Sequence, residues 1–102
     1  MTPSAASSAD SPLPRRSPTA IFKELSEGGV VLSTADQVYF GVNAVGAKIW
    51  SLMPPVLGTF GDLYAELERC YPDVEADRLQ VEARQFNQAL VANGLAIPVP
   101  SN

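Results

Sequence analysis

Three short apolar segments with strand periodicity, followed by three stretches with helical periodicity, predict an α+β domain of winged helix-turn-helix type, a three-stranded antiparallel sheet followed by three helices. Two further observations support that order. Turn-forming residues separate the apolar segments, and a residue suited to helix capping stands before each helical stretch.

The strands read AIFKEL from Ala20, VVLS from Val30 and VYFGV from Val38. Gly28 and Gly29 supply the positive-φ positions favoured in a tight first turn, and Thr34 to Asp36 offer side chains that cap a second. On the third strand Val38, Phe40 and Val42 share one face and Tyr39 and Gly41 the other. Asn43 is the expected cap of a first helix running from Ala44 to about Met53. Val45, Ile49 and Leu52 form one stripe and Gly46, Trp50 and Met53 its neighbour, so this helix is predicted to be deeply buried. Pro54 and Pro55 stop it.

Thr59, with Asp62 three residues on, starts a second helix whose apolar face is Phe60, Leu63, Tyr64 and Leu67 and whose end is near Cys70. Asp73 is the expected cap of a longer third helix with a core stripe of Leu79, Ala83, Phe86 and Leu90, stopped by Gly94. Leu95 and Ile97 are expected to fold back on the core.

Residues 1–18 are rich in Ser, Ala and Pro, and Pro3, Pro12, Pro14 and Pro18 interrupt any period, so they are expected to form a disordered tail carrying a solvated Arg15–Arg16 pair. Residues 19–98 then make one domain and 99–102 a short C-terminal tail. The net charge of -4 disfavours phosphate backbones, whose binding needs clustered Lys and Arg. Histidine is absent, which removes the commonest general base. Cys70, the single cysteine, has neither a histidine to activate it nor a second cysteine to pair with, and is expected to be a small buried residue. Asp73, Glu75 and Asp77 are explained by the dipole of the third helix and suggest no metal site. No apolar run approaches a membrane span, and a cytoplasmic protein is the expectation.

The run Tyr39-Phe40-Gly41-Val42-Asn43-Ala44-Val45-Gly46-Ala47-Lys48-Ile49-Trp50 resembles the signature of the PqqD-like family, the RiPP recognition elements. Gly58 to Leu63, the third helix and the ending Asn93-Gly94-Leu95 follow in that family's order, so the resemblance spans roughly Ala20 to Ile97. It implies a non-catalytic domain without cofactor or metal. Such a domain binds the leader segment of a ribosomally made precursor peptide as an added strand against the third strand, beside the third helix. Within the family the chain is most similar to the free-standing leader binders of lasso-peptide pathways, which implies a cysteine-protease-like leader peptidase as second partner. The pyrroloquinoline quinone branch, which works with a radical-SAM enzyme, matches less well.

On this reading Val38, Tyr39 and Phe40 line the leader groove, although ordinary strand packing explains Phe40 better than binding does. Asn43, Gly46, Ile49 and Trp50 are sufficiently explained by capping, close packing and core volume. On the third helix Val81 lies about 160° from the core stripe. Arg78, Glu82 and Gln85 flank the stripe on one side and Gln80, Arg84 and Asn87 on the other. The Arg78 side is preferred because its guanidinium suits an acidic leader residue and Glu82 a basic one. The same topology also fits a DNA-binding winged helix-turn-helix regulator. Against this, the third helix mixes Glu75, Asp77 and Glu82 with only Arg78 and Arg84. An enzyme is a third alternative, but no nucleophile and base stand in a recognisable arrangement.

Overall fold

A computed structural model describes residues 11–99. In chain order the elements are β1 (Arg15–Arg16), β2 (Ala20–Leu25), β3 (Gly28–Ser33), β4 (Tyr39–Val42), α1 (Ala44–Leu52), α2 (Phe60–Cys70), α3 (Ala76–Ala92) and β5 (Ala96–Ile97). The three strands expected from the sequence are β2, β3 and β4, an antiparallel meander in that spatial order. Strands β1 and β5 form a separate antiparallel pair that the sequence reading did not anticipate.

A two-residue turn, Ser26–Glu27, joins β2 to β3, and the pair Leu25–Gly28 closes it. Gly28 takes φ +94, and a Cβ there would lie 2.1 Å from the Val42 carbonyl oxygen, so both conformation and space demand glycine. Gly29 does not share this role. It lies within β3, where a Cβ would meet the Phe22 ring and the Lys23 carbonyl at 2.5 Å. The second turn is capped from an unexpected place. The Ser33 hydroxyl accepts the N–H groups of Ala35 and Asp36 at 3.2 and 3.1 Å, while the Thr34 hydroxyl donates to the Thr19 carbonyl.

Asn43 caps α1 as expected, its Oδ1 accepting the Gly46 N–H at 2.8 Å, and Thr59 caps α2 by accepting the Asp62 N–H at 3.2 Å. The start of α3 departs from expectation. Glu75, not Asp73, is the cap residue, and no side chain bonds there. Gly94, at φ +74, follows the C-cap Asn93 and turns the chain into β5. Leu95 is buried as expected, but Ile97 is not; Ala96 takes the inward place and Ile97 stands outside, paired with Arg15.

The core falls into two clusters that meet at α1 and at Phe86. Leu13, Ile49, Leu63, Tyr64, Leu67, Leu79 and Ala83 fill the helical half. Val31, Trp50, Met53, Leu90, Leu95 and Ala96 join the sheet to the helices, with Phe22, Phe40 and Val42 packed against them. Consecutive residues of α1, Ile49 and Trp50, serve opposite clusters, which explains why this helix carries two apolar stripes.

The expected tail is corrected over residues 11–18. Leu13 is 0% exposed and belongs to the core. Its N–H donates to the Gly58 carbonyl, and the Phe60 N–H donates to the Ser11 carbonyl. Arg16 lies 5.6 Å over the Trp50 ring and donates to the carbonyls of Met53 and Pro54, so the dibasic pair is integrated into the fold. The Ser-Pro composition signalled disorder, but one leucine with a hole to fill and backbone partners at Gly58 and Phe60 outweighs it. Residues 1–10 and 100–102 lie outside the described residues.

Candidate functional site

Among the described residues strand β4 is an edge of the sheet, paired on one side only. Which of its backbone groups are free follows from the ladder. The Ser33 N–H donates to the Val38 carbonyl, and the register continues through Val31–Phe40 and Gly29–Val42. Bonded pairs alternate with unbonded ones in an antiparallel ladder. The N–H and C=O groups of Val38, Phe40 and Val42 therefore turn inward to β3, and those of Tyr39 and Gly41 turn outward to the open edge.

Alternation also sorts the side chains, as the sequence predicted. Val38, Phe40 and Val42 are half-buried against the sheet-side core. Tyr39 is 74% exposed on the opposite face, and a Cβ at Gly41 would meet nothing within 4 Å.

Helix α3 approaches β4 through one aromatic pair. The Phe40 and Phe86 rings lie 6.1 Å apart at 47°. Gly46 makes room for this, since a Cβ there would stand 3.0 Å from the Phe86 ring and 3.2 Å from Val42. Phe86 thus marks the side of α3 that faces β4. At about 100° per residue, Glu82 lies about 40° beyond Phe86 on that side, Ala89 about 60°, Arg78 about 80°, Gln85 about 100° and Val81 about 140°. Around the helix axis the flank carrying Glu82, Arg78 and Gln85 is therefore angularly closer to Phe86 than that carrying Gln80 and Arg84, with Arg78 about 12 Å before Phe86 along the axis. Asn87, which the sequence placed on that second flank, is instead 2% exposed, with its Nδ2 donating to the Ala83 carbonyl and its Oδ1 unpartnered.

Of the residues singled out from sequence, Val38 and Phe40 face inward beneath the β4 edge, and Tyr39 faces outward. Arg78 and Glu82 form an exposed i,i+4 ion pair at 3.4 Å. Gln85 is exposed, and Val81, 40% exposed, is of these the one farthest in angle from Phe86. Phe86 and Gly41 were not singled out. Phe86 read as core, and a glycine whose value lies in its free backbone has no sequence signal beyond its place in an edge strand.

Elsewhere, Cys70 is half-exposed and not buried as expected, with its Sγ 3.6 Å from Glu66 Oε2. The Glu66 carboxyl is held below its ordinary range, chiefly by hydrogen bonding from Arg69. Among the described residues no group of three or more His, Cys, Asp or Glu side chains is placed to hold a metal ion, and no helix is long and apolar enough to cross a membrane.

The arrangement is thus a strand edge open among the described residues, with Phe40 packed on Phe86 of α3 beside it, suited to holding an extended chain. No curated protein matches the sequence. Among solved structures, TbiB1 in complex with the TbiA(beta) leader peptide has a similar fold, with a TM-score of 0.72 and 23% sequence identity, over 85% of this chain and 99% of that one. The family described as coenzyme PQQ synthesis protein D matches residues 28–96, which include β3, β4, all three helices and the Phe40–Phe86 contact. The chain belongs to the PqqD family.

Proposed function

We propose that this protein binds the leader segment of a ribosomally synthesised precursor peptide by strand addition to β4 beside α3, and delivers it to a cysteine-protease-like leader peptidase or another modifying enzyme of a lasso-peptide pathway. It acts as a recognition module without turnover of its own. The observation that carries this reading is the free edge of β4 lying directly over the Phe40–Phe86 pair. The outward N–H and C=O groups of Tyr39 and Gly41 supply backbone bonds, and alternate leader side chains enter the space between β4 and α3. Val38 and Phe40 line the inner side. Arg78 and Glu82 give the exposed flank of α3 one charge of each sign, and Gln85 and Val81 extend its outer surface. Family membership and the likeness in fold to a protein solved with a leader peptide support the reading.

A DNA-binding role is disfavoured by the mixed charge of α3, where Asp77 and Glu82 accompany Arg78 and Arg84. The test is titration of a fluorescent leader peptide, taken from the nearest precursor gene, with wild type, Tyr39→Ala and Arg78→Glu. Saturable binding weakened by either substitution is expected. Affinity weaker than about 1 mM for every neighbouring leader, with salt-sensitive DNA binding in its place, overturns the proposal.

A further inference from the structure

Among the described residues the sheet has a second free edge, β2, and it is the longer one. The Thr34 N–H donates to the Thr19 carbonyl, so by the same alternation Ile21, Lys23 and Leu25 turn their backbone groups inward to β3. Those of Ala20, Phe22 and Glu24 turn outward. Among these, the Ala20 N–H already donates to the Ser17 carbonyl, which leaves the Ala20 carbonyl and both groups of Phe22 and Glu24 open. Two large apolar side chains on the same strand are also uncovered, Ile21 at 49% and Leu25 at 54% exposure, and neither packs against the core clusters. An open backbone edge carrying exposed apolar side chains is a template for another strand.

We propose that β2 pairs antiparallel with β2 of a second copy of this chain, centred on Phe22, to make a continuous six-stranded sheet across a two-fold axis. Charge selects the occupant and the register. Outward-facing residues must oppose outward-facing residues, which restricts the pairing to shifts of two. Centring on Phe22 sets Ala20 opposite the second copy's Glu24, Ile21 opposite its Lys23 and Leu25 opposite its Thr19, with no like charges facing. Centring on Lys23 opposes two ammonium groups, and centring on Glu24 opposes two carboxylates. Centring on Ile21 slides Glu24 past the end of the opposing strand. The Phe22-centred pairing forms two bonds between the Phe22 residues and one from each Glu24 N–H to the opposite Ala20 carbonyl. One strand pair buries little surface, so the dimer is weak and reversible. The β4 edge remains open in it.

The experiment is sedimentation equilibrium of the full chain from about 10 µM to about 1 mM, the range in which so small an interface equilibrates. The wild-type average mass is expected to rise toward that of a dimer. Substitution at exposed Ile21 changes sign with charge. Ile21→Glu places a carboxylate opposite Lys23 and tightens the dimer about two- to fivefold, whereas Ile21→Lys opposes two cations and weakens it by a similar factor. Glu24→Pro deletes an outward N–H and weakens dimerisation at least about tenfold. A wild-type mass that stays monomeric throughout overturns the proposal, as do equal shifts for Ile21→Glu and Ile21→Lys. Circular dichroism of each variant confirms that the fold is retained.

Discussion

The two edges of one sheet present the same chemistry in the backbone and different surroundings. Strand β4 is four residues long, and its Phe40 packs on Phe86 of α3. Strand β2 is six residues long; its Phe22 ring stacks at 6.4 Å on Trp50 of α1, which Arg16 covers, and its exposed face carries Ile21, Lys23 and Leu25. Unpaired amides attract any strand, so they cannot choose one. Selectivity comes from what flanks them. Within the proposed function, the Phe40–Phe86 pair and the Arg78 and Glu82 side chains of α3 read a foreign peptide, whereas the Phe22–Trp50 pair at β2 already has Arg16 over it and the exposed face is left to Ile21, Lys23 and Leu25.

The largest test of this contrast removes the Phe86 ring. Phe86→Ala is expected to cost about 3 kcal/mol, because Phe86 packs against both core clusters, and to weaken leader binding with it. Chemical denaturation measures the first and peptide titration of the folded fraction the second. A stability loss below about 1 kcal/mol would show that α3 does not support β4. Next in size is the exchange of edges by proline. Gly41→Pro deletes an outward N–H on β4 and is expected to lower leader affinity about tenfold, roughly 1.4 kcal/mol. Gly41→Ala leaves affinity within about twofold, since its Cβ meets nothing within 4 Å. Glu24→Pro on β2 leaves leader affinity unchanged. If the two prolines exchange effects, the leader belongs on β2.

Smaller still is the cap at the junction of β4 with α1. Asn43→Ala is expected to lower the unfolding free energy by about 1 kcal/mol through loss of its bond to the Gly46 N–H, as chemical denaturation measures. Arg78→Glu changes stability by only about 0.5 kcal/mol or less, as the Arg78–Glu82 pair is exposed, so any drop in leader affinity reports the groove and not the fold. The smallest effect touches neither edge. The lowered Glu66 pKa means that its pairing with Arg69 stabilises the fold above the ordinary carboxylate pKa and is lost as pH falls through the lowered value. In an acid titration the small stability difference between wild type and Arg69→Ala should hold above that range and vanish as pH falls through it.

Features written in local sequence were legible in advance. Asn43 before Ala44, the Pro54–Pro55 stop, Thr59 with Asp62, and Gly94 after Asn93 each act within a few residues, and the three helices end close to where those signals stand. The alternation of Val38, Phe40 and Val42 with Tyr39 and Gly41 is likewise a property of any extended strand. Where a signal had local competitors, the reading slipped by a few positions. Ser33 and not Thr34 caps the second turn, and Glu75 and not Asp73 begins α3.

Site legibility divides along the same line. Tyr39 and Phe40 were visible as part of a strand, but the free backbone of Gly41 and the contact of Phe86 with Phe40 depend on α3 lying against β4.

The sequence by itself determined the elements, their order, the two stripes of α1 and the inward and outward faces of β4, because periodicity and capping are set by neighbours in the chain. Only the tertiary structure decided that Leu13 and Arg16 belong to the core region, that Asn87 is buried, that β1 finds β5, and that Phe86 of α3 meets Phe40 of β4. Each of these depends on a partner distant in the chain, and Leu13 carries no local mark of the cavity that Ile49, Leu63 and Leu67 leave for it.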